Sequence, residues 1–261
     1  MEVSLRGELR EVALIVSRDL SRFWKYKFWL AGQIGMNLAD ILIYALVFNN
    51  MVNTQLVPDY FKFFTTGVIA IAAFASAFSI GREVGIEIRR EYTHYLLGLP
   101  FRRQTLVTGR ILGGMLRGVI YQSSFIILAS LLVGLPDAYG WLLVIIASFA
   151  LSASMAGLAI AISSSTKDFN LQATFRALTY YIFFFFSNVF YPKQVLAIRF
   201  PKTVAVAIGY MPVSLAADIY RWAFRYDVTV NVEERLLLLA VWTIVMLSVA
   251  ALIYLWNLTR Q

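Results

Sequence analysis

Residues 61–80 read FKFFTTGVIAIAAFASAFSI, and residues 81–103 directly after them read GREVGIEIRREYTHYLLGLPFRR. The first run is apolar over about 20 residues, the length a helix needs to cross the hydrocarbon of a bilayer. The second turns abruptly basic. An apolar run that ends in clustered arginines fits a span leaving lipid on the cytoplasmic side, where Lys and Arg gather. On either side lie five more segments of similar length, at roughly 28–52, 111–135, 141–162, 171–191 and 236–256. Arg176 falls in the first turns of the fifth of the six segments, from where it can snorkel to the surface.

Composition agrees. Of 261 residues, 60% are hydrophobic and only 15% are charged, and mean hydropathy is +0.70. Soluble domains carry about a quarter charged residues, because their exterior faces water. The net charge of +8 raises nucleic-acid binding as an explanation, but the basic residues sit at the ends of apolar segments and form no groove, so no nucleic-acid partner is expected. Basic flanks suit anionic lipid. There is no Cys, which removes disulfides, thiolate chemistry and Cys-based zinc sites.

Orientation follows from Lys and Arg. With the N-terminus inside, the cytoplasmic segments hold Arg6, Arg10, Arg18, Arg22, Lys25, Lys27, Arg82, Arg89, Arg90, Arg102, Arg103, Arg110, Lys167, Arg176 and Arg260. The short outer loops near 53–60 and 136–140 hold none. The long outer stretch 192–235 is basic too, but long loops obey the rule weakly. The expectation is a single membrane domain over residues 1–261, in the cell membrane, with both termini cytoplasmic.

Three further segments are helical without spanning. Residues 1–27 place Leu9, Val12, Ala13, Val16, Leu20, Phe23 and Trp24 on one stripe, with Arg6, Glu8, Arg10, Arg18, Asp19 and Arg22 off it. This is the pattern of a helix lying in the membrane interface, or of a packing helix. These residues are too charged for a cleavable signal peptide. In 82–100, Ile88, Tyr92, Tyr95, Leu96 and Leu99 recur at helical spacing among Glu87, Arg89, Arg90, Glu91, Thr93 and His94, and Pro100 ends the pattern. A short charged helix held between two spans either caps the bundle or passes force from a cytoplasmic partner. Residues 192–225, punctuated by Pro192, Pro201 and Pro212, read as an outer re-entrant or interfacial hairpin with helical stretches at Lys193–Phe200 and Val213–Phe224.

Within the spans, Gln33, Asn37, Asp40 and Tyr44 form one polar stripe on the first. An ionised Asp40 in lipid costs about 2.5–3.5 kcal/mol, so the stripe faces inward, as interhelical glue or as the lining of a substrate path. Tyr180, Phe184, Ser187 and Asn188 mark the aromatic fifth span and its outer end, as packing or as path. Arg117, two turns beyond Arg110, snorkels to the cytoplasmic face or pairs with Asp40. His94 is the one His, so neither a metal site nor a catalytic centre is expected.

Two of these stretches carry a resemblance. GREVGIEIRREYTHYLLGLPFRRQTLVTGRILGG resembles the cytoplasmic signature of ABC-2-type transporter permeases, through Glu83, Gly85, Leu96-Leu97, Pro100, Arg102-Arg103 and Gly109-Arg110. The outer stretch resembles the family's second signature, through Ser187, Tyr191-Pro192, Pro201, Pro212 and Arg221. The resemblance implies an all-α membrane protein of six transmembrane helices with an N-terminal interfacial helix, a cytoplasmic coupling helix and the outer hairpin. It implies a dimer, of two identical or two related permeases, with a partner ATPase that alone holds ATP and Mg²⁺. It assigns contact with that ATPase to the loop helix: Glu83, Gly85, Glu87, Arg89, Arg90, Glu91, His94, Leu96, Leu97, Pro100, Arg102 and Arg103. The chain has no G-x-x-x-x-G-K-[ST] phosphate loop of its own. The cargo such a permease expels is a hydrophobic or amphipathic compound, or a lipid-linked glycan. An ion-driven secondary transporter or channel is the alternative. It fits less well, since only Asp40 is an intramembrane ionisable candidate and no internal repeat is visible.

Overall fold

A computed structural model describes residues 5–49, 57–98 and 102–260. Among them run twelve helices and no strand: α1 (Leu5–Lys25), α2 (Lys27–Asn49), α3 (Tyr60–Phe78), α4 (Ile80–Arg89), α5 (Tyr92–Leu97), α6 (Arg103–Val133), α7 (Ala138–Ser164), α8 (Phe169–Phe185), α9 (Lys193–Arg199), α10 (Lys202–Gly209), α11 (Pro212–Ala223) and α12 (Val232–Arg260). Each of the six apolar segments is centred on one helix, α2, α3, α6, α7, α8 and α12, although the fifth runs past the end of α8 and residues 50–52 of the first lie outside the described residues.

Helix starts are set by short polar side chains that satisfy orphan N–H groups. Asp59 accepts from the Lys62 N–H at 2.9 Å, Asp137 from Gly140 at 2.7 Å, Asp168 from Asn170 at 2.8 Å and Asn231 from Glu234 at 3.1 Å. The Gly140 N–H bond, with help from Arg225, holds the exposed Asp137 carboxyl below the usual carboxylate range.

Four helical stretches among the described residues are long and apolar enough to cross a membrane: Tyr60–Arg89, Arg103–Val133, Ala138–Ser164 and Val232–Leu258. The pair Lys202–Gly209 and Pro212–Ala223, bent by 68°, makes a fifth if taken as one broken span. The chain is a multi-pass membrane protein. At 17 residues α8 is about 25 Å long, short of the roughly 30 Å hydrocarbon layer.

The bundle is centred on α3, which is buried along most of its length, and α6, α7 and α11 pack around it. α12 lies against α7 with its far side open to lipid. α2 and α8 are peripheral, and α8 buries only Gln172 and Phe183. Close approach depends on glycine at four points of α6, Gly109, Gly113, Gly114 and Gly118. A Cβ on Gly113 would press on the Asp19 side chain at 3.0–3.1 Å, and one on Gly118 would meet Ser152 Oγ at 2.5 Å.

Two expectations change. Residues 82–100 are not one helix: α4 continues the line of α3, and the chain breaks at Arg90–Glu91 before α5. Glu91 takes φ 58°, so the anticipated stripe divides, with Ile88 and Leu96 buried but Tyr92 and Tyr95 exposed. The outer stretch 192–225 holds three helices, the unanticipated one being α10. Of the re-entrant and interfacial alternatives for that stretch, α11 fits the first: it is buried along nearly its whole length, because α3, α7 and α12 all pack against it.

The left-handed Glu91 yields a prediction. A β-branched residue there suffers the full steric cost of that region, about 1–2 kcal/mol, which Gly escapes. Glu91→Val is expected to lower the melting temperature of the purified protein, and Glu91→Gly to leave it unchanged. Equal melting of the two variants would show that the break does not form.

Candidate functional site

One to two turns before the Arg90–Glu91 break, the carboxylates of α4 turn into the bundle. Glu83 and Glu87 lie one turn apart on α4, Arg110 and Arg117 two turns apart on α6, and each pair therefore shares one helix face. α1 lies across both. Arg110, with no exposed surface, donates through Nη1 to Asp19 Oδ1 at 2.7 Å and through Nη2 to Glu87 Oε2. Arg22 reaches the other Glu87 oxygen at 2.6 Å. Arg18 stands 3.5 Å from Asp19 and 3.6 Å from Glu87, and burial, followed by repulsion from Arg110, pushes its guanidinium below the usual value. Arg117, 1% exposed, grips both Glu83 oxygens at 2.6 and 3.0 Å and donates to the Asp19 carbonyl. Its guanidinium lies 5.5 Å from the centre of the Phe23 ring, and its carbonyl accepts from Ser76 Oγ at 3.0 Å.

One cluster of four arginines and three carboxylates thus ties α1, α4 and α6 together, with α3 joined through Ser76. Charge-assisted, bidentate bonds of this kind fix relative orientation more than they add stability. α1, α4 and α6 are therefore bridged to one another in a single arrangement.

Arg117 corrects half of its expectation: it is buried on Glu83 and the Asp19 carbonyl and does not snorkel, while the alternative pairing with Asp40 falls on a side chain outside the described residues. Arg176 does not reach the surface alone either. It donates to Ser163 Oγ at 2.9 Å and toward the Gly81 carbonyl at 3.4 Å.

The residues assigned to partner contact separate into two groups. Glu83, Gly85 and Glu87 face the bundle, and Gly85 lies beneath Gln172. Arg89, Arg90, Glu91 and Arg103 are exposed, as is Arg102, which bridges to Glu8 at 2.6 Å. Leu96 is buried. His94 and Leu97 lie on α5, their side chains outside the described residues, as is all of Pro100. Beside the exposed group a cavity of about 240 Å³ opens between α1 and α6, lined by Glu8, Leu9, Val12, Arg102, Gln104, Thr105 and Thr108.

The path candidates also divide. Gln33, Asn37, Asp40 and Tyr44 are on α2, with side chains outside the described residues. Tyr180 is half-buried and stacks on Phe74 of α3 at 5.0 Å, and Phe184 stacks on Tyr180 at 5.6 Å. Ser187 and Asn188 are fully buried. Asn188 takes Ser214 Oγ as acceptor for its N–H at 3.0 Å and donates Nδ2 to Asp218 Oδ1 at 2.7 Å. Both are packed inside the outer hairpin, so neither lines an opening in this state.

That hairpin holds the second buried charge group. Arg221 donates Nη2 to the carbonyls of Asn188 and Val189 at 3.0 and 3.1 Å, and its guanidinium lies 3.7 Å from the centre of the Phe63 ring. Asp218 holds Lys193 at 2.8 Å. Below them Tyr220 takes a bond from Gln122 at 2.7 Å and sits 3.3 Å from Ser148.

Arg18, Asp19, Arg22, Arg110 and Asp218 are participants that sequence reasoning missed. The complementary spacing, Glu at 83 and 87 against Arg at 110 and 117, was the one available signal.

A family model described as ABC-2 type transporter matches residues 10–225, from the first helix through the outer hairpin. No curated protein matches the chain.

Proposed function

The chain belongs to the ABC-2 type transporter family, and from that premise we propose that it is the permease of an ATP-driven exporter whose motor docks beside the Arg90–Glu91 break. The observation that carries this reading is the buried ion cluster. It fastens α1 and α4, the two elements beside the exposed charges, to the long span α6. A push delivered at Arg89, Arg90, Glu91, Arg102 or Arg103 therefore reaches the membrane through paired charges and not through a slack loop. Both termini face the cytoplasm of a cell membrane, α1 lies at the lipid interface, and ATP and Mg²⁺ bind on the partner ATPase. A second permease copy closes a path bounded by α2, α3 and α8. The peripheral position of α2 and α8 supports that arrangement. The exposed apolar flank of α8 supports a hydrophobic or amphipathic cargo, or a lipid-linked glycan, moving outward.

The test is co-purification of the tagged chain from its native membrane. An ATPase subunit is expected to co-elute. Reversing the two exposed charges, Arg89→Glu with Arg90→Glu, is expected to lose that subunit while permease yield and melting stay as in the wild type. Undiminished co-elution of the ATPase with the reversed variant would move the docking surface elsewhere. Transport that continues without any ATPase, driven by an ion gradient, would end the exporter reading.

A further inference from the structure

Between Arg235 and Tyr254, α12 is apolar apart from Trp242, Thr243 and Ser248, so its strongest bonding groups stand toward its two ends. At one end Arg235 donates Nη1 to the Gly209 carbonyl at 3.3 Å and lies 3.5 Å from Asp218. Trp242, two turns further along, donates its ring N–H to the Tyr210 carbonyl at 2.9 Å. α12 thus holds the junction of α10 and α11 and touches the buried charge group of the hairpin. At the other end Tyr254 is buried, and its hydroxyl meets the guanidinium of Arg110, the hub of the ion cluster. About 28 Å of helix separate Arg235 from Tyr254. One unbroken helix therefore has a bonded group in each of the two buried charge clusters.

The rest of α12 lies on a line of small residues in α7. Thr243 donates to the Ala150 carbonyl at 3.1 Å, a Cβ on Gly157 would stand 3.2 Å from the Met246 carbonyl, and Asn257 donates to the Ser164 carbonyl at 2.9 Å. Ala150, Gly157 and Ser164 are seven residues apart and share one face of α7. Small side chains let two helices come close and leave few ridges to interlock, so a helix on such a face can shear along it. The far side of α12 packs against no other helix of the bundle. α3 also runs between the two charge groups, from Ser76 on the Arg117 carbonyl to the Phe63 carbonyl beneath Arg221. It is enclosed along most of its length, and has no open side on which to shift.

We propose that α12 is a transmission rod that couples the position of the ion cluster to the grip on the hairpin, keyed by Tyr254 at one end and by Arg235 at the other. A displacement of Arg110 shifts α12 along α7, and Arg235 then changes its hold on Gly209 and Asp218. The reverse displacement travels the same way, because a coupling free energy between two sites is reciprocal. The coupling belongs to the chain alone. It holds or fails whether or not an ATPase docks, so its test is separate from that of the exporter reading.

The test is hydrogen–deuterium exchange of the full purified chain without any ATPase, read by mass spectrometry. Tyr254→Phe keeps the ring and removes the bond to Arg110. It is expected to speed exchange over residues 202–211, at the far end of α12, by about fivefold. In an Arg235→Gln background, where the other key is already lost, the same change is expected to add nothing there, although sites so far apart are ordinarily additive. Arg235→Gln alone is expected to speed exchange over residues 15–25 of α1 by a similar factor, and this arm stands even if Tyr254→Phe yields no folded protein. Ser76→Ala, which frees α3 from Arg117, is expected to leave 202–211 at the wild-type rate. Wild-type exchange at 202–211 in Tyr254→Phe, or at 15–25 in Arg235→Gln, would overturn the proposal. So would an equal acceleration by Tyr254→Phe in both backgrounds, or the same acceleration from Ser76→Ala.

Discussion

Arg110→Met is expected to be the most damaging single change at the cytoplasmic end, costing about 3–5 kcal/mol. Arg110 is fully buried and bridges two carboxylates from different helices, Asp19 of α1 and Glu87 of α4. Removing the cation leaves both acids in a site that water does not reach, and the penalty of an uncompensated buried charge exceeds whatever the pair contributed when whole. Arg22 at Glu87, and Arg18 at 3.5 Å from Asp19 and 3.6 Å from Glu87, soften the loss without replacing the bridge between the two acids. Against a total stability of about 5–15 kcal/mol, a loss of this size removes much of the folded population. The measurement is the monodisperse yield and melting temperature of the detergent-solubilised chain. The control separates charge from packing: in an Asp19→Asn, Glu87→Gln background the same Arg110→Met change is expected to cost far less, since no carboxylate is then stranded. An Arg110→Met protein as stable as wild type, or an equal cost in both backgrounds, would mean that the cluster does not hold α1 and α4 to α6.

How much of this was readable beforehand depends on what each feature needs in order to be seen. The six apolar segments were visible because lipid imposes a length and a composition locally, and each is centred on a helix. The caps Asp59, Asp137 and Asp168 act equally locally, although they were not singled out beforehand. The Arg90–Glu91 break was not visible. Neither residue is a Gly or Pro, and the apolar spacing of Ile88, Tyr92, Tyr95 and Leu96 runs straight across it, although only a change of helix direction lets Leu96 be buried while Tyr92 and Tyr95 are exposed. The ion cluster was hidden differently. Arg117 read alone suggests snorkelling, because a lone residue offers no hint that a carboxylate 34 positions away will meet it. Asp19 looked like part of the polar face of an amphipathic helix. It is buried because α1 packs against α6 on the side carrying Ile15 and Asp19, leaving Leu9 and Trp24 exposed. Asp218 and Arg221, three apart on one face of α11, are hidden for the same reason: neighbouring helices close that face.

The outer charge group is where the second large effect lies. Arg221→Lys keeps the charge and nearly the length, and is nonetheless expected to cost about 3 kcal/mol or more, because each stranded buried acceptor costs roughly 1–3 kcal/mol. The guanidinium serves several acceptors that point at it from different directions. Nη2 bonds the carbonyls of Asn188 and Val189, Nη1 bonds Asn188 Oδ1 at 3.2 Å, and Nε points at the Phe63 carbonyl at 3.4 Å. Its plane also covers the Phe63 ring. An ammonium is a single point with three donors and lacks the flat fork, so at least one carbonyl is left without a partner. The same crowding makes Gly67 specific: a Cβ there would stand 2.6 Å from Arg221 Nη2. Gly67→Ala is therefore expected to destabilise the wild type and to cost much less once position 221 carries Lys, whose end can retreat from the new methyl. That non-additivity distinguishes a direct contact from two unrelated defects. Because Arg221 fixes the turn after α8 to both α11 and α3, the variant is also expected to lose transport more steeply than it loses membrane-inserted protein. Arg221→Lys melting with the wild type, or Gly67→Ala costing the same in both backgrounds, would show that Arg221 does not anchor the hairpin.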